Sequence, residues 1–100
     1  MAEVNWTKFA LENVSNIADL ISKDSVSYAE FFVRKIFEKV IILEEFPNSG
    51  RIVPEFENVE IRELIFGNYR IVYKLFDEKI DVLTVHHSAR LLSNSPLFEN

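Results

Sequence analysis

The apolar positions of this chain change period once, near Pro47. Ahead of that point they recur at helical spacing. Ala10, Val14, Ile17, Ala18 and Ile21 fall at offsets 0, 4, 7, 8 and 11, one face of a helix that runs to about Ser22. Thr7 suits the N-cap of that helix, because its hydroxyl can accept a free first-turn N–H. Ser27-Tyr28-Ala29-Glu30 reads as a capping box, with Glu30 reaching back to the Ser27 N–H. It opens a second helix that reaches about Glu44 and turns Ala29, Val33, Ile36, Val40 and Leu43 inward. Pro47 forces Phe46 out of helical geometry and ends it. Ala2–Trp6 reads as a short opening strand, and the two helices as a hairpin.

Beyond the turn Pro47-Asn48-Ser49-Gly50, the β-branched and aromatic residues dominate. Glu60–Phe66, Tyr69–Phe76 and Lys79–His86 read as strands, separated by Gly67-Asn68 and Asp77-Glu78. Gly67-Asn68 suits a two-residue hairpin turn, since glycine accepts the positive φ such turns require. A strict turn there places Phe66 opposite Tyr69, Arg62 opposite Tyr73 and Arg70 opposite Ile65. Arg62 and Arg70 then point to opposite faces unless a bulge shifts one of them. Helices followed by a meander predict an α+β fold, an N-terminal helical hairpin packed on a small antiparallel β-sheet. Residues 1–100 make one domain.

Composition narrows the chemistry. The chain is 48% hydrophobic and 13% aromatic, too apolar to remain disordered. The absence of cysteine excludes disulfides, thiolate metal sites and a cysteine nucleophile, and points to the cytoplasm. MAEVNWTKFA has no basic segment leading into an apolar run, so no secretory signal is expected, and runs such as Val40–Leu43 are too short to span a membrane. The net charge is −5. Intrinsic nucleic-acid binders draw affinity from neutralised phosphates, so any such role here must rest on a local arginine cluster or on docking to a larger machine.

Arg51, Arg62, Arg70 and Arg90 lie around the strands, with His86 and His87 close to Arg90. Guanidinium groups beside an imidazole can hold a phosphodiester and stabilise the charge developed in its cleavage. Histidine has the pKa for proton transfer near neutrality. Other roles for these residues are also open. Arg51 and Glu55 read as a brace on their loop, and the glutamates of Glu55–Glu63 as a solvated surface. His86 and His87 alternate across a strand and so cannot share a metal, and neither a metal nor a cofactor is expected. Tyr69, Tyr73, Phe66 and Phe76 sit at the spacing of core or cross-strand partners.

Four segments, Gly50-Arg51-Ile52-Val53-Pro54-Glu55, Ile61-Arg62-Glu63-Leu64, Gly67-Asn68-Tyr69-Arg70-Ile71-Val72-Tyr73 and His87-Ser88-Ala89-Arg90, resemble in order and spacing the RelE/ParE superfamily of toxins from type II toxin–antitoxin systems. Trp6-Thr7 before the first helix fits as well, and the resemblance covers nearly the whole chain. It implies a growth inhibitor neutralised by a cognate antitoxin, with operator DNA reached only through that antitoxin. Two modes of action are implied. One is a metal-independent endoribonuclease that works on mRNA in the ribosome; the other is a non-enzymatic poison of DNA gyrase. An inactive, antitoxin-binding relic is a third reading.

For the nuclease, the resemblance implies Arg70 and Arg90 as phosphate ligands and Arg62 near the position of a basic strand residue. The terminal tyrosine of many RelE-like enzymes has no counterpart in residues 91–100, which leaves His87, or second to it His86, as its substitute. An acidic, amphipathic antitoxin segment is expected on the helix pair or a sheet edge.

Overall fold

A computed structural model describes residues 1–88. The chain runs β1 (Glu3–Trp6), α1 (Lys8–Ser22), α2 (Val26–Ile41), a 3₁₀ turn (Ile42–Glu44), β2 (Arg51–Ile52), β3 (Ile61–Phe66), β4 (Tyr69–Leu75) and β5 (Lys79–His87). No helix among the described residues is long and apolar enough to cross a membrane.

Thr7 caps α1 as its position implies. Its hydroxyl oxygen accepts from the Ala10 N–H at 3.1 Å and donates to the Val82 carbonyl at 2.8 Å, so the cap also ties the helix to β5. The cap of α2 differs from the expected capping box. Ser25 takes the role, accepting from the Tyr28 N–H at 3.1 Å, and Ser27 lies inside the first turn. Val26 starts the helix immediately after Asp24-Ser25, because the link between α1 and α2 is shorter than a cap at Ser27 allows. Helical hydrogen bonding ends at Ile41, and a single 3₁₀ turn carries Leu43 into the core before Pro47.

The five strands form one sheet in the order β1-β5-β4-β3-β2. The expected antiparallel meander is its centre, β3-β4-β5. Two edge strands extend it, and one changes its class: β1 pairs parallel with β5, Glu3 opposite Lys79 through Trp6 opposite Val82, which makes the sheet mixed. The other addition, β2, sets Arg51 opposite Glu63 and Ile52 opposite Arg62. Gly67, with φ of 56°, turns the β3–β4 hairpin. The register is the one that a strict two-residue turn dictates: Phe66 opposite Tyr69, Ile65 opposite Arg70, Arg62 opposite Tyr73. It runs without interruption. A bulge does occur, but between β4 and β5, where Val72 meets Thr84 and Tyr73 meets Val82, leaving Leu83 over.

The helices cover one face of this sheet. Ala10, Val14, Phe32, Ile36, Val40 and Leu43 pack there against Ile71, Tyr73, Ile80, Val82 and Val85. Phe32, buried in the structure, adds to the inward face expected of α2. A smaller cluster lies on the other face, where Val53 and Val72 are covered by Phe56, Ile61 and Leu83.

Candidate functional site

The arginines divide between the two faces. On the helix side the organiser is Tyr73, whose side chain is fully buried. Its hydroxyl accepts from the Gly50 N–H at 2.9 Å and donates to the Pro47 carbonyl at 2.8 Å. Arg62, directly opposite on β3, donates through Nη1 to the Gly50 carbonyl at 3.0 Å and to the Asn48 carbonyl at 3.4 Å. The turn Pro47–Gly50 is thereby clasped from below by a phenol and a guanidinium. Burial pushes the Tyr73 hydroxyl above its ordinary pKa, opposed by the Gly50 hydrogen bond and by the charge of Arg62. Gly50 has no room for a side chain, since a Cβ would lie 2.5 Å from the Tyr73 hydroxyl and 2.7 Å from the Glu63 carbonyl oxygen.

Arg70 belongs to the other face. It is only 6% exposed, and all three of its nitrogens donate to carboxylates. Nη1 and Nη2 grip Glu55 at 2.6 and 2.8 Å, while Nε donates to Glu63. Glu63, 1% exposed, also accepts from Arg51 Nε at 2.6 Å. The result is a chain of alternating charge, Arg51–Glu63–Arg70–Glu55, laid across β2, β3 and β4. The Glu55 hydrogen bonds raise the Arg70 pKa most, and desolvation acts against them. Two positive and two negative groups cancel, so the cluster offers no net attraction to a phosphate.

The sites read from the sequence therefore separate. Arg62 and Arg70 do not share a face, because the β3–β4 register carries no bulge to bring them together. His86 stands opposite Arg70 on β5 and is buried, whereas His87 stands opposite Tyr69 on the helix side. The His87 and Tyr69 rings meet edge to face, with centroids 5.6 Å apart. Arg90 lies outside the described residues. Arg51 and Glu55 do brace their loop, as their positions imply, through partners on β3 and β4. The glutamates from Glu55 to Glu63 are not a uniform solvated surface. Glu63 is among the most buried side chains of the molecule, and Glu55 is held by Arg70. A signal for Glu63 existed in the sequence: with Arg70 opposite Ile65, Arg70 shares the face of Glu63 and is its diagonal neighbour.

This architecture, two helices on one face of a five-stranded mixed sheet, matches that of known proteins. A chain from the chromosomal ParDE TA system of P. aeruginosa superposes with a TM-score of 0.72 over 87% of this chain and 96% of that one, at 22% identity, a likeness of fold. Toxin RelE2 of Caulobacter vibrioides is 30% identical over 92 residues, which span 91% of this chain and 100% of the relative. Residues 4–92 match the family model described as ParE toxin of type II toxin–antitoxin system, parDE. The chain belongs to this family of type II toxins, and membership implies a cognate antitoxin as partner.

Proposed function

We propose that this toxin arrests growth by binding its target, DNA gyrase, rather than by cutting RNA, and that its antitoxin keeps it silent. The observation that carries this reading is the state of Arg70, which is buried and held through all three of its nitrogens by Glu55 and Glu63. A guanidinium serving a scissile phosphate needs donors aimed at the space the phosphate will fill. To take that role Arg70 must surrender three charge-assisted hydrogen bonds and leave two carboxylates beside the incoming anion. Arg62 cannot assist, being on the far side of the sheet and engaged with backbone carbonyls. The acidic net charge agrees, because a protein target makes no demand for phosphate neutralisation. Operator DNA is then reached only through the antitoxin.

The test uses purified protein with gyrase and, in parallel, a translation extract programmed with a defined mRNA. Inhibited supercoiling or trapped DNA cleavage, with the mRNA left intact, is the expected result. New 5′ ends at the ribosomal A site, lost in Arg70→Ala while supercoiling proceeds untouched, would reverse the assignment in favour of the ribosome-dependent endoribonuclease.

A further inference from the structure

The two edges of the sheet differ in what they offer a neighbour. At one, β2 is two residues long and carries Arg51, which leaves little template for further pairing. At the other, β1 pairs with β5 alone. The Glu3 N–H donates to the Glu78 carbonyl and the Thr7 N–H to the Val82 carbonyl. Strand alternation then turns the backbone groups of Glu3 and Asn5 toward β5 and those of Val4 and Trp6 away from it. The Ala2 N–H also points outward, but the Glu44 carbonyl takes it at 2.9 Å. Among the described residues, nothing takes the outward groups of Val4 and Trp6.

Beside this edge α2 runs antiparallel to β1, since the Phe37 and Trp6 ring centroids lie 4.6 Å apart and Glu44 is bonded to Ala2. Strand and helix bound a groove of about 450 Å³. The stripe that lines it from the helix side reads Arg34, Phe37, Ile41, Glu44, residues three or four apart and so on one side of the helix. Phe37 and Ile41 are both exposed. Among the described residues, neither Arg34 nor Glu44 has an ion-pair partner.

The stripe is basic, apolar, apolar, acidic. Turned end for end it complements itself, as a twofold axis requires of an interface. The strand decides where that axis falls. With two copies of β1 antiparallel and Val4 opposite the partner's Trp6, each such pair exchanges both of its hydrogen bonds and the axis passes at Asn5. From the Trp6–Phe37 and Ala2–Glu44 contacts, Asn5 stands level with about Lys39, at about 3.3 Å per strand residue and 1.5 Å per helix residue. Rotation about that point brings Arg34 level with the partner's Glu44, and Phe37 level with the partner's Ile41. The other twofold register, Val4 opposite the partner's Val4, slides the helices by about one turn and carries Arg34 past the partner's Glu44. It also calls on the Ala2 N–H, which Glu44 already holds.

We infer that the chain forms a symmetric dimer through β1 in the first of these registers. The sheet then runs on from one copy into the next, the two α2 stripes meet over the join, and each Arg34 faces the partner's Glu44. A hollow bordered by Glu44, Glu45, Asp77 and Glu78 adds to the attraction on the incoming guanidinium. Burial of Phe37 and Ile41 drives the association, and the backbone bonds fix its register. The inference makes no use of the target proposed above.

Sedimentation equilibrium of the full chain without antitoxin should show the mass of one copy at low concentration passing to that of two at high concentration. Hydrogen exchange at the Val4 and Trp6 amides should slow over the same range. Ile41→Lys should weaken association at least tenfold. Arg34→Glu sets two carboxylates against each other across the axis, and Glu44→Arg sets two guanidinium groups, so each alone should also weaken it at least tenfold. Mixing these two single variants restores both charge pairs in the mixed dimer, and the double variant restores them in its own; both should recover most of the wild-type affinity. The ¹⁵N spectrum of each variant reports its folding, and a folding defect is not cured by mixing. A chain that stays monomeric at every concentration, a dimer indifferent to the three substitutions, single variants that fail to complement each other, or association without protection of Val4 and Trp6 would each overturn the inference.

Discussion

The two faces of one sheet solve the problem of burial differently. The helix side is an apolar layer in which Ile71, Val82 and Val85 meet Phe32, Ile36 and Val40. Among the described residues no helix covers the opposite side, and the apolar cluster there, around Val53 and Val72, is much smaller. That side is held instead by the chain Arg51–Glu63–Arg70–Glu55, which ties the segment between β2 and β3 down onto β4. A packed apolar layer tolerates the loss of one contact by partial relaxation. A buried charge network does not, because deleting one member strands the charge of another in a poorly solvated site. The two faces should therefore respond differently to substitutions of similar size.

The largest effect is expected at the centre of the network. Glu63→Ala removes the carboxylate shared by Arg51 and Arg70 and leaves the Arg70 Nε without its acceptor. Breaking a buried ion pair from one side costs about 3–5 kcal/mol. Urea denaturation should register a loss in that range with an unchanged m-value. A loss below about 1 kcal/mol, the scale of a surface pair, would mean that solvent reaches this face and that the contrast between the faces is false.

Gly50→Ala comes next and strikes where the two faces meet. The new methyl would collide with the Tyr73 hydroxyl on the helix side and with the Glu63 backbone carbonyl between the strands. Overpacking and the loss of the Tyr73 hydrogen bond together should cost about 2–4 kcal/mol. Thermal unfolding of Gly50→Ala in the Tyr73→Phe background sharpens the point. Removing the hydroxyl relieves the nearest clash, so the two losses should add to less than their sum.

Tyr73→Phe alone should cost about 1–2 kcal/mol, since it leaves the buried Gly50 N–H and Pro47 carbonyl short of a partner. It also carries a pH signature. Burial raises the folded-state pKa of Tyr73 above its ordinary value of 10.0. A raised pKa means that the associated stability is complete below the unfolded value and is lost as pH climbs through the folded one. Wild type should thus lose stability above about pH 10 more steeply than Tyr73→Phe, as followed by circular dichroism melts across that interval. Parallel curves would show that the hydroxyl is not buried as described.

Local rules recovered much of this. The two-residue turn at Gly67-Asn68 sets the whole β3–β4 register, and with it the separation of Arg62 from Arg70, because side-chain direction follows from counting by twos. Thr7 as a cap was legible for the same reason: its partner is three residues away. Ser25 was not, since Ser27 and Glu30 satisfy the same local pattern and only the length of the interhelical link decides between them. What escaped is non-local. Nothing near Glu3–Trp6 indicates that it pairs with a strand more than seventy residues on, still less that the pairing is parallel. The site suffered likewise. Each glutamate between residues 55 and 63 looks solvated by itself, and Glu63 becomes a buried hub only when β2 and β4 bring an arginine to either side of it.

The smallest effect tests whether that hub depends on its outer member. Arg51 is bonded to Glu63 as closely as Glu55 is to Arg70, at 2.6 Å in each case, so a count of ion pairs assigns the two equal weight. Exposure separates them. The Arg51 side chain is 60% exposed and water can replace much of what it gives Glu63, whereas the Arg70 side chain is 7% exposed. Screening and side-chain entropy hold an exposed pair to about 1 kcal/mol or less. Arg51→Ala should therefore shift the urea midpoint only slightly, and added salt should shrink the difference from wild type further. A loss near that of Glu63→Ala would place Arg51 inside the desolvated network, and the face opposite α1 and α2 would then be sealed out to β2 rather than open along its edge.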